Sequence, residues 1–134
     1  MEGMECIKIL TNNPLALAKY PDLIDYTDDS VKVLLEKVRD RVHLGGRLLS
    51  HPLSGGVLPG VSPFKSLVMT LTPDNDGFST DFDSLALIEA ALRALKKPPE
   101  GFIGYDAKTL EDFQVLDLDI LDSALLGCGG GTRV

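Results

Sequence analysis

Segment 30–43 has the apolar spacing of a helix that buries one face. Its apolar residues recur at helical intervals and form a single stripe: Val31, Leu34, Leu35, Val38 and Val42. Polar residues 27–30 precede the stripe and can cap a helix start. Gly45 and Gly46 follow it, as expected where a helix ends in a left-handed residue. Such a helix requires an apolar layer to pack on, which the rest of the chain must supply.

Short strand-like segments alternate with the helical ones along the chain. The predicted strands span residues 6–10, 23–26, 47–50 and 65–71, and further helices are predicted over 15–20, 81–96 and 109–126. Alternation of this kind is typical of parallel sheets. We therefore predict an α/β fold: a small, mainly parallel sheet with helices packed on it in Rossmann-like layers. The length suits one domain, over residues 1–126, followed by a flexible glycine-rich tail over 127–134.

The last predicted helix carries a row of carboxylates beside its apolar stripe. The stripe is predicted to contain Leu110, Phe113, Leu116, Ile120, Leu121 and Ala124. The solvated outer face is predicted to contain Glu111, Asp112, Asp117, Asp119 and Asp122.

Composition restricts the classes of partner. The formal net charge is −7, so most of the surface would repel a phosphate backbone or an anionic membrane, and neither nucleic acid nor membrane is an expected partner. Cys6 and Cys128 form no paired motif, and His43 and His51 are the only histidines. We expect no disulfide framework, no metal site and no cofactor. With no visible signal segment, the expected location is cytoplasmic.

Two polar turns follow predicted strands. The first is Thr11-Asn12-Asn13-Pro14, whose side-chain amides could orient a polar ligand or could simply shape the turn. The second spans residues 50–56. Because ligands of parallel sheets bind at the carboxyl ends of strands, we expect both turns to line one cleft.

The second turn combines glycines with small polar donors. Gly55 and Gly56 would expose backbone amides, His51 and Ser54 would add donors, and Lys65 would bring positive charge. No Gly-Lys-Ser/Thr follows, so the turn is not a P-loop. The predicted ligand is a small polar molecule or anion.

Two alternatives stay open. His51 and Ser54 could act as base and nucleophile in a small hydrolase or transferase, if a third group orients the imidazole. The chain could instead be an interaction module without a ligand, which works through its acidic helix face or a homo-oligomer interface.

Several strings resemble the GrdX family. They are Ile9-Leu10-Thr11-Asn12-Asn13-Pro14, Lys37-Val38-Arg39-Asp40, Leu48-Leu49-Ser50-His51-Pro52-Leu53-Ser54-Gly55 and Pro63-Phe64-Lys65-Ser66. The resemblance spans about Ile7 to Leu95. It departs from the family pattern at residues 56–59, where a more polar loop with a lysine is expected.

The resemblance implies an accessory role. Members of the family are encoded beside the glycine, sarcosine or betaine reductase complex of amino-acid-fermenting anaerobic bacteria, and no reaction follows from membership. We therefore expect a non-enzymatic accessory protein that binds a small polar or anionic ligand, or a reductase subunit, through the predicted cleft.

Overall fold

The computed structural model describes residues 7–52, 61–70, 80–95 and 104–127. The strands are β1 (Ile7–Thr11), β2 (Ile24–Tyr26), β3 (Arg47–Leu48) and β4 (Ser66–Thr70). The helices are α1 (Pro14–Lys19), α2 (Val31–His43), α3 (Phe82–Leu95) and α4 (Ala107–Leu125). Each element lies within a few residues of its predicted bounds, so the predicted α/β order is confirmed.

The four strands form one mixed sheet in the order β2-β1-β4-β3. The β1–β2 pair is parallel, whereas β4 runs antiparallel to both of its neighbours. The prediction of a mainly parallel sheet is therefore wrong. The prediction that the layers are Rossmann-like stays a prediction.

The connections explain the mixed directions. Between β1 and β2 the chain passes through α1, a helical crossover of the kind that parallel neighbours require. Between β3 and β4 the described residues contain no helix. The chain returns beside β3 in the opposite direction, and β4 inserts between β3 and β1.

Both faces of the sheet are covered by helices. On one face, Leu10, Leu67 and Met69 pack against the apolar stripes of α2 and α3. On the other face, Ile9 and Val68 pack with Leu121 of α4 and with α1. Because side chains alternate along a strand, neighbours such as Ile9 and Leu10 enter opposite cores. The result is a three-layer arrangement with the sheet in the middle.

The end of α2 is set by glycine, as predicted. Gly45 has a φ of 109°, in the region that favours glycine, and its amide donates to the Val42 carbonyl. A Cβ on Gly46 would lie 2.8 Å from both Met69 Cε and the Thr70 carbonyl oxygen. The second glycine therefore allows the chain to approach β4 closely as it enters β3.

In the described part of the chain, no helix is long and apolar enough to cross a membrane.

Candidate functional site

The carboxyl ends of β1, β2 and β3 and the start of β4 share one edge of the sheet. This follows from the topology, since β1 and β3 both run antiparallel to β4 and β2 runs parallel to β1. The first polar turn, Lys65 and His51 therefore all lie at this edge. Thr11 and Asn12 are in direct contact with the Lys65–Ser66 segment, and Asn13 reaches Ser66 only through Asp117, whereas His51 follows β3 on the far side of β4.

Thr11 closes the end of β1 against the start of β4. Its buried hydroxyl donates to the Lys65 carbonyl at 3.0 Å and lies 2.7 Å from the Ser66 hydroxyl. The same oxygen accepts a hydrogen bond from the Asn13 amide at 2.9 Å. The first turn is thus fixed by its own side chains as well as by the sheet.

Asn12 joins three segments through one side chain. Nδ2 donates to the carbonyls of Asp29 and Pro63, each at 2.9 Å, and Oδ1 accepts from the Lys65 amide at 2.9 Å. Both amide hydrogens are therefore used within the protein. A ligand contact from this donor would require one of these bonds to break.

Asn13 is fully buried and connects α1 to α4. Its Oδ1 caps α1 by accepting from the Leu15 amide at 3.0 Å. Its Nδ2 donates to the Gln114 carbonyl at 2.9 Å and to Asp117 Oδ2 at 3.0 Å. The amides of both asparagines thus shape the turn and bind neighbouring segments, which is one of the two roles their residue type predicts. Direct ligand contact by Thr11, Asn12 and Asn13 stays a prediction.

Asp117 is the residue at this edge that the sequence analysis misplaced. It was predicted on the solvated face of α4, but it is 6% exposed and accepts from Ser66 Oγ at 2.6 Å as well as from Asn13. A signal was present, because Asp117 lies four residues from both Phe113 and Leu121 in the stripe. An aspartate within an apolar stripe indicates a buried carboxylate with polar partners.

Burial raises the pKa of Asp117 above its ordinary value. The hydrogen bonds from Ser66 and Asn13 and the charge of Lys65 oppose this shift without cancelling it. The folded protein therefore binds a proton at Asp117 more readily than the unfolded chain does.

Lys65 has a fixed main chain and an ammonium group without an acceptor. Its amide and carbonyl are bound to Asn12 and Thr11. Among the described residues, no hydrogen bond or ion pair reaches Nζ. Burial lowers the pKa of Lys65, and the charge of Asp117 opposes that shift. A half-buried ammonium group without an acceptor can bind an anion.

The second polar turn lies only partly within the described residues. The Ser50 hydroxyl accepts from the Val68 amide at 3.0 Å, and the Ser50 amide donates to the Val68 carbonyl, so the chain is held as it leaves β3. His51 follows with an exposed side chain. Ser54, Gly55 and Gly56 lie outside the described residues, and so does the predicted His51–Ser54 pair.

Within the described ranges, no group of three or more His, Cys, Asp or Glu side chains could hold a metal ion.

Asp117→Asn is expected to remove a pH dependence of stability. Because the folded pKa of Asp117 is raised, its contribution to stability is fully present below the unfolded pKa of about 3.9 and is lost as pH rises through the folded pKa. The free energy of unfolding of wild type minus that of Asp117→Asn should therefore fall as pH rises from about 4. Urea unfolding of both proteins across this range measures it.

Taking the difference cancels the carboxyls shared by both proteins, such as Asp106, whose pKa is lowered by the hydrogen bond with Thr109. A difference that stays constant or rises with pH would contradict the raised pKa of Asp117.

Comparison with known proteins identifies the chain. It matches no curated protein and no solved structure. The family model described as GrdX-like protein matches residues 8–126, which extends the resemblance seen in the sequence beyond Leu95 and through α4. The match covers most of the chain, and the protein belongs to the GrdX-like family.

Proposed function

We propose that this GrdX-like protein is a non-enzymatic accessory protein that binds a small polar or anionic ligand at the edge of the sheet beside Lys65. The observation that carries the proposal is the Lys65 ammonium group, which is half-buried and has no acceptor among the described residues. A cation withdrawn from water and left without an acceptor is destabilising, so an anion that supplies one gains binding energy. Charged groups with perturbed pKa values also cluster at functional sites.

Protonation of Asp117 would favour anion binding at the same site. Its carboxylate would repel an anion bound at Lys65, but its raised pKa makes the neutral, protonated form more accessible. Ligand binding and proton uptake would then be linked, and anion affinity would increase as pH falls. Thr11, Asn12 and Asn13 would form the wall of the site, and Thr11 and Asn12 would hold Lys65 in place through its main chain.

The protein partner in this proposal is a subunit of the glycine, sarcosine or betaine reductase complex. This part rests on the family resemblance and on no contact in the structure.

Lys65→Met is expected to abolish ligand binding while the protein stays folded. Methionine keeps the apolar stem and removes the charge. Thermal unfolding of the wild-type protein would be recorded with acetate, phosphate, sulfate, amino acids and nucleotides. A ligand that binds the native state stabilises it by about 2.7 kcal/mol at a hundredfold excess over its dissociation constant. That stabilisation should disappear in Lys65→Met.

The control is Lys108→Met, which makes the same change at a lysine that is 76% exposed and paired with Asp112. It should respond to ligand as wild type does. Equal shifts in Lys65→Met and wild type would place the ligand elsewhere. If no compound shifts the wild-type protein, the small-ligand proposal fails and the reductase subunits become the first partners to test.

A further inference from the structure

A groove between α2 and α3 brings basic side chains together over apolar ones. The cavity has a volume of about 270 Å³. Lys32, Arg39 and Arg93 contribute the cations, while Leu92 and Leu95 contribute apolar surface. Among the described residues, neither the Arg39 side chain nor the Arg93 side chain makes a hydrogen bond or an ion pair. Two guanidinium groups are therefore available to a partner.

Two carboxylates also line the α2–α3 groove. Glu36 lies 3.6 Å from Lys32 in an exposed ion pair, and Glu89 lies on α3. The groove still carries more positive than negative groups, in a protein whose formal net charge is −7. Its charge is thus opposite to that of the molecule as a whole, which favours an acidic partner.

The outward side of α4 has the complementary composition. This α4 outer face consists of Glu111, Asp112, Val115, Leu116, Asp119 and Leu126, all of them exposed. At 100° per residue these positions fall on one side of the helix, opposite the buried Asp117 and Leu121. Val115, Leu116 and Leu126 are 48%, 40% and 73% exposed, so the face places three large apolar side chains beside its carboxylates. Asp112 is paired with Lys108, but Glu111 and Asp119 add two further carboxylates. The face therefore keeps an excess of negative charge.

We propose that the α4 outer face of one copy of this chain docks into the α2–α3 groove of another. Carboxylates of the first surface would meet the unpaired guanidinium groups of the second, and the apolar side chains of both would be buried. The two surfaces differ, so the contact is heterologous and each copy offers one donor and one acceptor surface. The Lys65 site takes no part in it.

The test uses the full-length chain and complementary charge reversals. Arg39→Glu/Arg93→Glu disables the groove, and Glu111→Lys/Asp119→Lys disables the α4 outer face. Sedimentation velocity should show that the average mass of wild type rises with concentration, whereas each variant alone stays monomeric. An equimolar mixture of the two variants should associate again, because the intact α4 outer face of the first variant can dock into the intact groove of the second, and the two reversed surfaces are again opposite in charge.

The control for altered net charge is Lys19→Glu/Lys37→Glu, which makes the same change in charge as the groove variant at partly exposed ion pairs outside both surfaces. It should self-associate as wild type does. A wild-type protein that remains monomeric up to about 1 mM, the weak end of specific binding, would overturn the proposal. So would variants that fail to associate when mixed.

Discussion

Asn13→Ala is expected to lower the free energy of unfolding by about 3–4 kcal/mol, a large part of the roughly 5–15 kcal/mol that stabilises a domain. The substitution removes the cap of α1, which contributes about 1 kcal/mol. It also removes the donor to the Gln114 carbonyl and to Asp117, leaving a buried carboxylate with one hydrogen-bond donor fewer. The hydrogen bond lost to the carboxylate accounts for about 1.5–3 kcal/mol of the expected loss.

Urea unfolding measures this loss as a lower midpoint at an unchanged m-value. Ser30→Ala is the matched control, because Ser30 caps α2 by accepting from the Val33 amide at 3.2 Å and makes no contact with the buried network. Its loss should be about 1 kcal/mol. Equal losses in the two variants would mean that Asn13 acts as a cap alone and that its bonds to α4 add nothing.

Leu121→Ala is expected to lower the free energy of unfolding by about 3 kcal/mol. Leu121 is 1% exposed and lies on α4, where it packs with Ile9 and Val68 of the sheet. Removing its side chain loses the transfer free energy of the deleted groups and leaves a cavity that the surrounding layers fill only partly. The loss in the free energy of unfolding from Leu121→Ala then measures the apolar contribution to packing α4 on the sheet. It can be compared with the loss from Asn13→Ala, which measures the polar contribution.

Leu126→Ala is the control at the C-cap of the same helix, since Leu126 is 73% exposed. It should change stability by no more than about 0.5 kcal/mol. The same urea titration serves both variants. If Leu126→Ala lost as much as Leu121→Ala, the assignment of inner and outer faces to α4 would be wrong. Preserved stability in Leu126→Ala also allows its use in the association experiments.

Local sequence signals located the elements well, because each signal acts over a few residues. The apolar stripe of segment 30–43 produced α2 at Val31–His43, and Gly45 adopted the positive φ expected after a helix. The strand-like runs became β1 to β4 with small changes at their ends. The polar turns were also found by residue type, and their shared sheet edge follows from β1 and β3 running in the same direction.

The direction of β4 was not predictable in the same way. Alternating strands and helices favoured a parallel sheet, but β4 runs antiparallel to both neighbours. A strand's own residues specify which faces are apolar and carry little information on the direction of the strand beside it. All five residues of β4 are buried, which suits a central strand in either direction.

The sequence by itself determined where the helices and strands lie, which face of α2 is apolar, where α2 ends and that Thr11, Asn12 and Asn13 form a turn. Periodicity, capping and backbone preference are properties of short segments, so they can be found without knowing the fold. Only the tertiary structure decided the strand order, the hydrogen-bond partners of Asp117 and the partners of Asn13, which lie 101 and 104 positions away. These features depend on which distant segments meet, because a carboxylate or an amide is buried only where another element supplies its hydrogen-bond partners.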